Sequence, residues 1–88
     1  MDGVTPLSIA AEEGYTAIMQ LLLEHKADVN TPDKNGVSPV STAIHNGHIE
    51  VLELLLQHGA NVIAPVNADD TPVFLAAYYG RPTAVKLL

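Results

Sequence analysis

The sequence contains no cysteine, no tryptophan and few charged residues, which make up 16% of the chain. The absence of cysteine excludes disulfides, zinc sites built on thiolates and a cysteine nucleophile, and it fits a reducing compartment. Hydrophobic residues account for 48% of the chain. Because a disordered segment lacks apolar groups to bury, this composition predicts a folded core built from aliphatic side chains.

Positive charge is scarce as well. Four basic residues stand against ten acidic ones, so the formal net charge is −6. The basic residues are scattered singly, as Lys26, Lys34, Arg81 and Lys86. Phosphate backbones and anionic membranes attract clustered lysine and arginine, so we expect no nucleic acid and no membrane surface as partner.

Neither a signal peptide nor a membrane-spanning run is visible in the sequence. Residues 1–3, Met-Asp-Gly, show no basic start followed by an apolar stretch. No apolar run approaches the roughly 20 residues that a spanning helix needs. We therefore expect a soluble, intracellular protein of the cytoplasm or nucleus.

A period of 33 residues organises the chain. Proline, alanine, glycine and two leucines recur three times at this spacing, as Pro6, Pro39 and Pro72; Ala10, Ala43 and Ala76; Gly14, Gly47 and Gly80; Leu21, Leu54 and Leu87; Leu22, Leu55 and Leu88. A fixed period of this size indicates a stack of structural repeats, each too small to bury its apolar face alone.

Each repeat contains signals for two helices. A threonine or serine followed by proline predicts the start of a short first helix, and the repeated glycine predicts its end. Apolar residues spaced i, i+3 and i+4 then predict the inward face of a second helix. These residues are Ile18, Leu21 and Leu22; Val51, Leu54 and Leu55; and Ala84, Leu87 and Leu88. Turn-rich connectors at 27–37 and 60–71 follow, with buried valines expected at Val29 and Val62.

Residues 3–11 read Gly-Val-Thr-Pro-Leu-Ser-Ile-Ala-Ala, and residues 33–40, 47–51, 54–56 and 59–62 supply the rest of the same pattern. On these residues the chain resembles the ankyrin repeat over essentially its whole length. The resemblance implies an all-α ankyrin-repeat solenoid of stacked helix-turn-helix units joined by β-hairpin-like loops. It implies one domain, 1–88, with repeats at approximately 1–32, 33–65 and 66–88. Because the last repeat stops in its second helix, we expect flanking repeats in a longer parent chain.

The sequence departs from the family pattern at two kinds of position. The histidine of the Thr-Pro-Leu-His motif is replaced in every repeat, by Ser8, Ser41 and Phe74. We expect the hydrogen bonds that this histidine makes between repeats to be weakened or lost. In addition, Lys26 stands where Gly59 supplies the turn glycine one repeat later. If the backbone there is left-handed, lysine costs roughly 1 kcal/mol relative to glycine.

The sequence offers little for catalysis or metal binding. The four histidines are His25, His45, His48 and His58. A zinc site needs three or four converging ligands, and these histidines are better explained as exposed turn or helix-end residues. Ser8 and Ser41 lie in no recognisable nucleophile motif, and helix-start hydrogen bonding explains them. An enzyme or a metalloprotein is therefore a remote alternative, and no cofactor is expected.

Binding of another protein follows from the resemblance. Ankyrin repeats hold partners by their hairpin tips and by the exposed end of the first helix, which line a concave surface. The matching tip positions are Asp2, Val4, Lys34, Asn35, Val37, Asn67 and Asp70. The matching helix-end positions are Glu12 and Glu13, His45 and Asn46, and Tyr78 and Tyr79, a ladder that passes from acidic through polar to aromatic.

Two alternatives remain open on this ladder. Tyr78 and Tyr79 are either binding contacts, since tyrosine is enriched in hot spots, or one ring packs against a neighbouring repeat. Glu12 and Glu13 are either a solvated face or a site that attracts a basic partner. For the whole chain, the alternative to a protein-interaction module is a structural spacer within a longer array, with no partner of its own.

One modification site also follows from the resemblance. Leu22 is followed eight residues later by Asn30 in Asp28-Val29-Asn30. This spacing looks like the asparaginyl-hydroxylation motif found in many ankyrin repeats. The simpler alternative is that Asn30 caps the hairpin through its side chain.

Overall fold

The structure is a computed structural model that describes residues 5–33, 35–62 and 71–88. These residues form a helical stack with no strand among them. The helices are α1 (Pro6–Glu13), α2 (Thr16–Glu24), α3 (Pro39–Asn46), α4 (Ile49–Gln57), α5 (Pro72–Tyr78) and α6 (Pro82–Leu87). The predicted order of a short first helix, a tight turn and a second helix is confirmed for all three repeats.

The first helix of each repeat begins as the sequence predicts. The side chains of Thr5, Ser38 and Thr71 accept a hydrogen bond from the backbone N–H three residues later, at 3.0, 3.2 and 3.3 Å. Proline follows each cap at the first helical position, where its missing N–H costs nothing. These caps fix the residues at which α1, α3 and α5 start. Because the three helices have similar lengths, their C-terminal ends lie at equivalent positions in the stack.

Residues with left-handed backbone lie at or just after the ends of the helices, including Gly80 after α5 with φ of 66°. Gly14 and Gly47 cap α1 and α3 with φ of 74° and 73°. After the second helices, Gly59 has φ of 83° and Lys26, at the equivalent position, has φ of 72°. The expectation that Lys26 stands in a conformation suited to glycine is confirmed.

Two rows of helices form the stack. Helix α1 packs against α3 and α3 against α5, while α2 packs against α4 and α4 against α6. The repeated alanines Ala10, Ala43 and Ala76 are completely buried, so the first helices can approach closely. Val29 is also buried as predicted, whereas Val62 is only half-buried.

The predicted inward face of the second helices is right for the second repeat and wrong for the first. In α4, Val51 and Leu55 are completely buried. In α2, however, Ile18 and Leu21 are 48% and 55% exposed, and the buried residues are Met19 and Leu23. The reason is the number of neighbours, because α4 lies between α2 and α6 while α2 packs against α1 and α4. The side of α2 that carries Ile18 has no described helix against it.

The third repeat shows the mirror image of this effect. Ala84 of α6, equivalent to Val51, is completely buried against α4. Val85, equivalent to the buried Leu52, is 40% exposed, and Leu87 is 37% exposed. Leu88 is half-buried against the core. Position within the stack therefore decides which apolar residues of a repeat are covered.

Candidate partner-binding surface

The C-terminal ends of the first helices lie side by side because α1, α3 and α5 pack in a row. They expose the predicted ladder of Glu12 and Glu13, His45 and Asn46, and Tyr78 and Tyr79. Tyr78 is the most open of the aromatic side chains, at 72% exposure, while Tyr79 is 38% exposed. Three chemically different pairs are thus presented on one surface, one pair from each repeat.

A groove of about 400 Å³ crosses this surface. Its base is α3, one wall comes from α1 and the other from α5. The lining residues are Glu12, Val37, Ser41, Thr42, His45, Asn46, Leu75 and Tyr79. Five residues predicted from the sequence therefore line one groove, namely Glu12, Val37, His45, Asn46 and Tyr79.

Other predicted contact residues lie elsewhere. Glu13, Asn35 and Tyr78 are exposed but do not line the groove. Asp2, Val4, Lys34, Asn67 and Asp70 lie outside the residues that the structure describes. Ser41, Thr42 and Leu75 line the groove although the sequence did not point to them. Their position, one or two turns before the helix ends, is the signal that could have found them.

Aromatic rings form a continuous series along one edge of the groove. The His45 and Tyr79 rings meet edge to face with centroids 4.7 Å apart, and the Tyr79 and Tyr78 rings do so at 5.2 Å. Phe74 stacks on Tyr78 at 6.0 Å, and it is 50% exposed. Tyr79 therefore packs against the preceding repeat and still presents part of its ring to solvent.

A second cavity of about 400 Å³ adjoins the groove. It is lined by Phe74, Leu75, Tyr78 and Tyr79. Leu75 and Tyr79 also line the groove. In the sequence, Phe74 stands out only as the residue that replaces the motif histidine of the third repeat. Its spacing of four residues before Tyr78 places both rings on one helical face and could have identified it.

The loop that brings Val37 to the groove is held by Asp33. One carboxylate oxygen of Asp33 accepts hydrogen bonds from the backbone N–H of Asn35 at 2.8 Å and of Val37 at 3.0 Å. The backbone N–H of Asp33 also donates to the carbonyl of Val37 at 2.9 Å. The chain doubles back here, as expected for a β-hairpin-like loop.

Two side chains form hydrogen bonds between the first-helix end of one repeat and the following repeat. Nε2 of His48 donates to the backbone oxygen of Glu12 at 2.9 Å, so this nitrogen carries the hydrogen. One repeat later, Nε of Arg81 donates to the carbonyl of Ile44 at 3.2 Å and Nη2 donates to that of His45 at 3.0 Å. Both residues are N-caps of second helices. They fix the spacing between the helix ends that carry the groove residues.

These features, a 33-residue period, capped helix pairs and a row of first-helix ends, define a repeat architecture. A family model described as ankyrin repeats, three copies, matches residues 1–66. The chain belongs to the ankyrin-repeat family. No curated protein gives a match to this chain.

In these ankyrin repeats the serines that replace the motif histidine bond within their own repeat. Ser8 donates to the carbonyl of Thr5 at 2.9 Å, and the hydroxyls of Ser41 and Ser38 lie 3.1 Å apart. The bonds between repeats come instead from His48 and Arg81. His48 lies at a helix end as expected, since it is the N-cap of α4, but it is half-buried and not exposed, because it packs on Glu12 and Gly14.

The ankyrin loops contribute one more bond between repeats. Oδ1 of Asn30 accepts a hydrogen bond from the backbone N–H of Asn61 at 2.7 Å, and Asn30 itself donates from its backbone to Oδ1 of Asp28 at 2.9 Å. Asn30 is exposed. The side chain of Asn30 thus links two repeats, since the N–H that it accepts belongs to the following repeat.

Within residues 5–33, 35–62 and 71–88, no three histidine, aspartate or glutamate side chains come together in a group that could hold a metal ion. Of the helices in this described part of the ankyrin stack, none is both long and apolar enough to cross a membrane.

Proposed function

We propose that this chain is a non-catalytic protein-interaction module that holds its partner in the groove across α1, α3 and α5. Residues of the hairpin tips, among them Asn35 and Val37, add contacts at its edge. Ankyrin repeats generally serve as protein-interaction modules and are typically not enzymes. We further propose that the partner is met inside the cell, where most ankyrin repeats act.

The observation that carries this proposal is the exposure of large apolar groups around a formed groove. Phe74, Tyr78 and Tyr79 are 50%, 72% and 38% exposed and lie in mutual contact. Contiguous exposed apolar patches on soluble proteins mark interaction sites, and tyrosine provides large contact area at low entropic cost.

The test compares the affinity of alanine variants at the tyrosines of the groove and its adjoining cavity with that of a variant at a tyrosine elsewhere. The chain serves as bait, a captured protein is purified, and its Kd is measured for Tyr78→Ala, Tyr79→Ala and Tyr15→Ala. Tyr15 is the matched control, because it is 48% exposed and lines neither the groove nor the adjoining cavity. We expect Tyr78→Ala and Tyr79→Ala to weaken binding about tenfold or more, as hot-spot residues do. Tyr15→Ala should leave Kd unchanged.

Thermal unfolding of each variant separates binding from folding. Tyr79→Ala also removes the contact with His45, so its midpoint is expected to fall modestly, whereas Tyr78→Ala should change it little. If neither substitution alters Kd for any captured protein, the groove is not the binding site. The chain would then be better described as a structural spacer.

We also propose that Asn30 is a substrate for an asparaginyl hydroxylase. Its side chain is exposed, and hydroxylation at Cβ leaves Oδ1 in place to accept the bond from Asn61. Intact-mass measurement after incubation with such a hydroxylase, Fe(II) and 2-oxoglutarate should show the gain of one oxygen atom. The gain should disappear in Asn30→Ala. An unchanged mass for the native chain dismisses this proposal.

A further inference from the structure

The two walls of the groove differ in chemistry. The wall from α1 is formed by the acidic residue Glu12, and the opposite wall is formed by Leu75 of α5 and by Tyr79, the C-cap of that helix. Between them lie Thr42 and His45 of α3. Glu12 is the acidic residue among the described residues that line the groove.

A carboxylate facing an aromatic and aliphatic wall complements one kind of side chain best. Arginine has a planar cation that pairs with carboxylates and stacks on aromatic rings, and its long stem packs against apolar groups. Lysine shares the charge and the stem but stacks less well. The net charge of −6 on the chain adds long-range attraction for a basic partner and repels an acidic one.

The dimensions of the site also restrict its occupant. A volume of about 400 Å³ is near the lower end of ligand sites, so the groove holds one or two side chains and not a folded domain. The second cavity adjoins it through Leu75 and Tyr79. A neighbouring apolar side chain of the same segment can therefore lie in this cavity, beside the stacked rings of Phe74 and Tyr78.

We propose that the groove binds an extended, basic segment of a partner protein. An arginine of that segment lies between Glu12 and Tyr79, and an adjacent aliphatic or aromatic residue occupies the cavity beside Phe74. This inference rests on the proposed function and adds the chemistry of the partner. It assigns Glu12 to recognition of a cation, which is the second of the two alternatives that the sequence leaves open for this residue.

A random peptide library displayed on phage and selected on the full chain tests this directly. We expect the selected peptides to be rich in arginine next to an aliphatic or aromatic residue and poor in aspartate and glutamate. The consensus peptide is then synthesised with a fluorescein label, together with a version in which citrulline replaces the arginine. Citrulline keeps the shape of arginine and removes its charge, so the difference in Kd reports the cation.

The matched variants of the chain are Glu12→Gln and Glu53→Gln. Each removes one negative charge, but Glu53 is an exposed residue of α4 and does not line the groove. Because exposed ion pairs are weak, Glu12→Gln should raise Kd for the arginine peptide roughly two- to fivefold. It should leave Kd for the citrulline peptide unchanged, and Glu53→Gln should alter neither. Added salt should weaken the arginine peptide more than the citrulline peptide.

Several outcomes overturn the inference. Selected peptides that are not basic, but lose affinity with Tyr79→Ala, keep the groove as a binding site and refute its preference for a cation. Basic peptides that respond equally to Glu12→Gln and Glu53→Gln report net charge alone and refute the role of Glu12. A selection that enriches no peptide, together with captured proteins insensitive to Tyr78→Ala and Tyr79→Ala, refutes both the inference and the proposed function.

Discussion

His48 lies so close over Gly14 that a methyl group on Gly14 would be 2.6 Å from Nδ1 of the imidazole. The same ring holds the carbonyl of Glu12 through Nε2. The absence of a side chain at Gly14 is therefore a condition for the tie between the first two repeats. The backbone there is also left-handed, with φ of 74°.

The first prediction separates these two demands on Gly14. Gly36 has φ of 78° but no atom within 4 Å of an added Cβ, so Gly36→Ala measures the backbone cost alone, about 1 kcal/mol. Gly14→Ala should destabilise by about 1–3 kcal/mol more, because the imidazole must move. Urea denaturation gives both values. In a His48→Ala background the two glycine substitutions should cost the same, and a persistent difference would show that His48 is not the obstacle.

The second prediction concerns Arg81, which bonds two carbonyls with two different nitrogen atoms. Lysine carries all its N–H donors on one nitrogen atom and cannot match the fixed spacing of Nε and Nη2, so Arg81→Lys should lose part of the tie and destabilise by roughly 1 kcal/mol. Arg81→Ala should cost more, and Lys86→Ala, an exposed residue of α6, should cost little. Equal stability of the arginine and lysine forms in urea would argue against the paired bonds.

Lys26 provides the third prediction, as a reciprocal exchange between two repeats. Lys26 and Gly59 occupy equivalent positions with φ of 72° and 83°. Lys26→Gly should stabilise the chain by about 1 kcal/mol, and Gly59→Lys should destabilise it by a similar amount. Both residues are exposed, so packing should contribute little to either change. Chemical denaturation measures the two effects, and changes of the same sign would contradict the backbone explanation.

The fourth prediction uses the bond between Asn30 and Asn61. The backbone N–H of Asn61 needs an acceptor, which Oδ1 of Asn30 supplies at 2.7 Å. Asn30→Asp keeps an acceptor and should preserve most of the stability, whereas Asn30→Ala should cost about 1 kcal/mol. Hydrogen exchange at the Asn61 amide offers a local measurement. Its protection should fall in the alanine variant and persist in the aspartate variant.

The fifth prediction tests how the position of a repeat in the stack determines the contribution of an apolar residue to stability. Ile18 and Val51 are equivalent in the repeat but are 48% and 0% exposed. Val51→Ala should destabilise by about 2 kcal/mol, because it leaves a cavity between α2 and α4. Ile18→Ala should cost roughly 0.5 kcal/mol or less, although it removes the larger side chain. Similar losses for both would mean that the outer side of α2 is covered.

Much of the fold could be predicted from local signals. Hydroxyl caps before proline and the repeated glycines fixed the bounds of α1 and α3 closely, because those signals act within a few residues. The covered face of α2 could not be predicted in this way. The spacing of Ile18, Leu21 and Leu22 identifies an apolar stripe, but burial depends on which neighbours the stack supplies.

The exposed residues of the candidate surface could be predicted from their positions in the repeat. The hydrogen bonds that join one repeat to the next could not. Glu12, His45 and Tyr79 follow from their positions at helix ends. The ties made by His48 and Arg81 join different residue types at one register position, so identity at a 33-residue spacing does not reveal them. The structure shows that both side chains join neighbouring repeats, because His48 bonds to the carbonyl of Glu12 and Arg81 bonds to the equivalent carbonyl of His45.

The completely buried alanines have a consequence for how this protein can acquire new specificity. Ala10, Ala43 and Ala76 are identical, yet two residues further along each first helix stand glutamate, histidine and tyrosine. A step of two residues turns about 200° around a helix, so the uniform position faces inward and the varied one outward. The outward residue of each repeat can therefore change one at a time while the buried alanine that packs the helices stays the same. Substitutions at these outward positions then alter affinity for a partner with little effect on the stability of the fold.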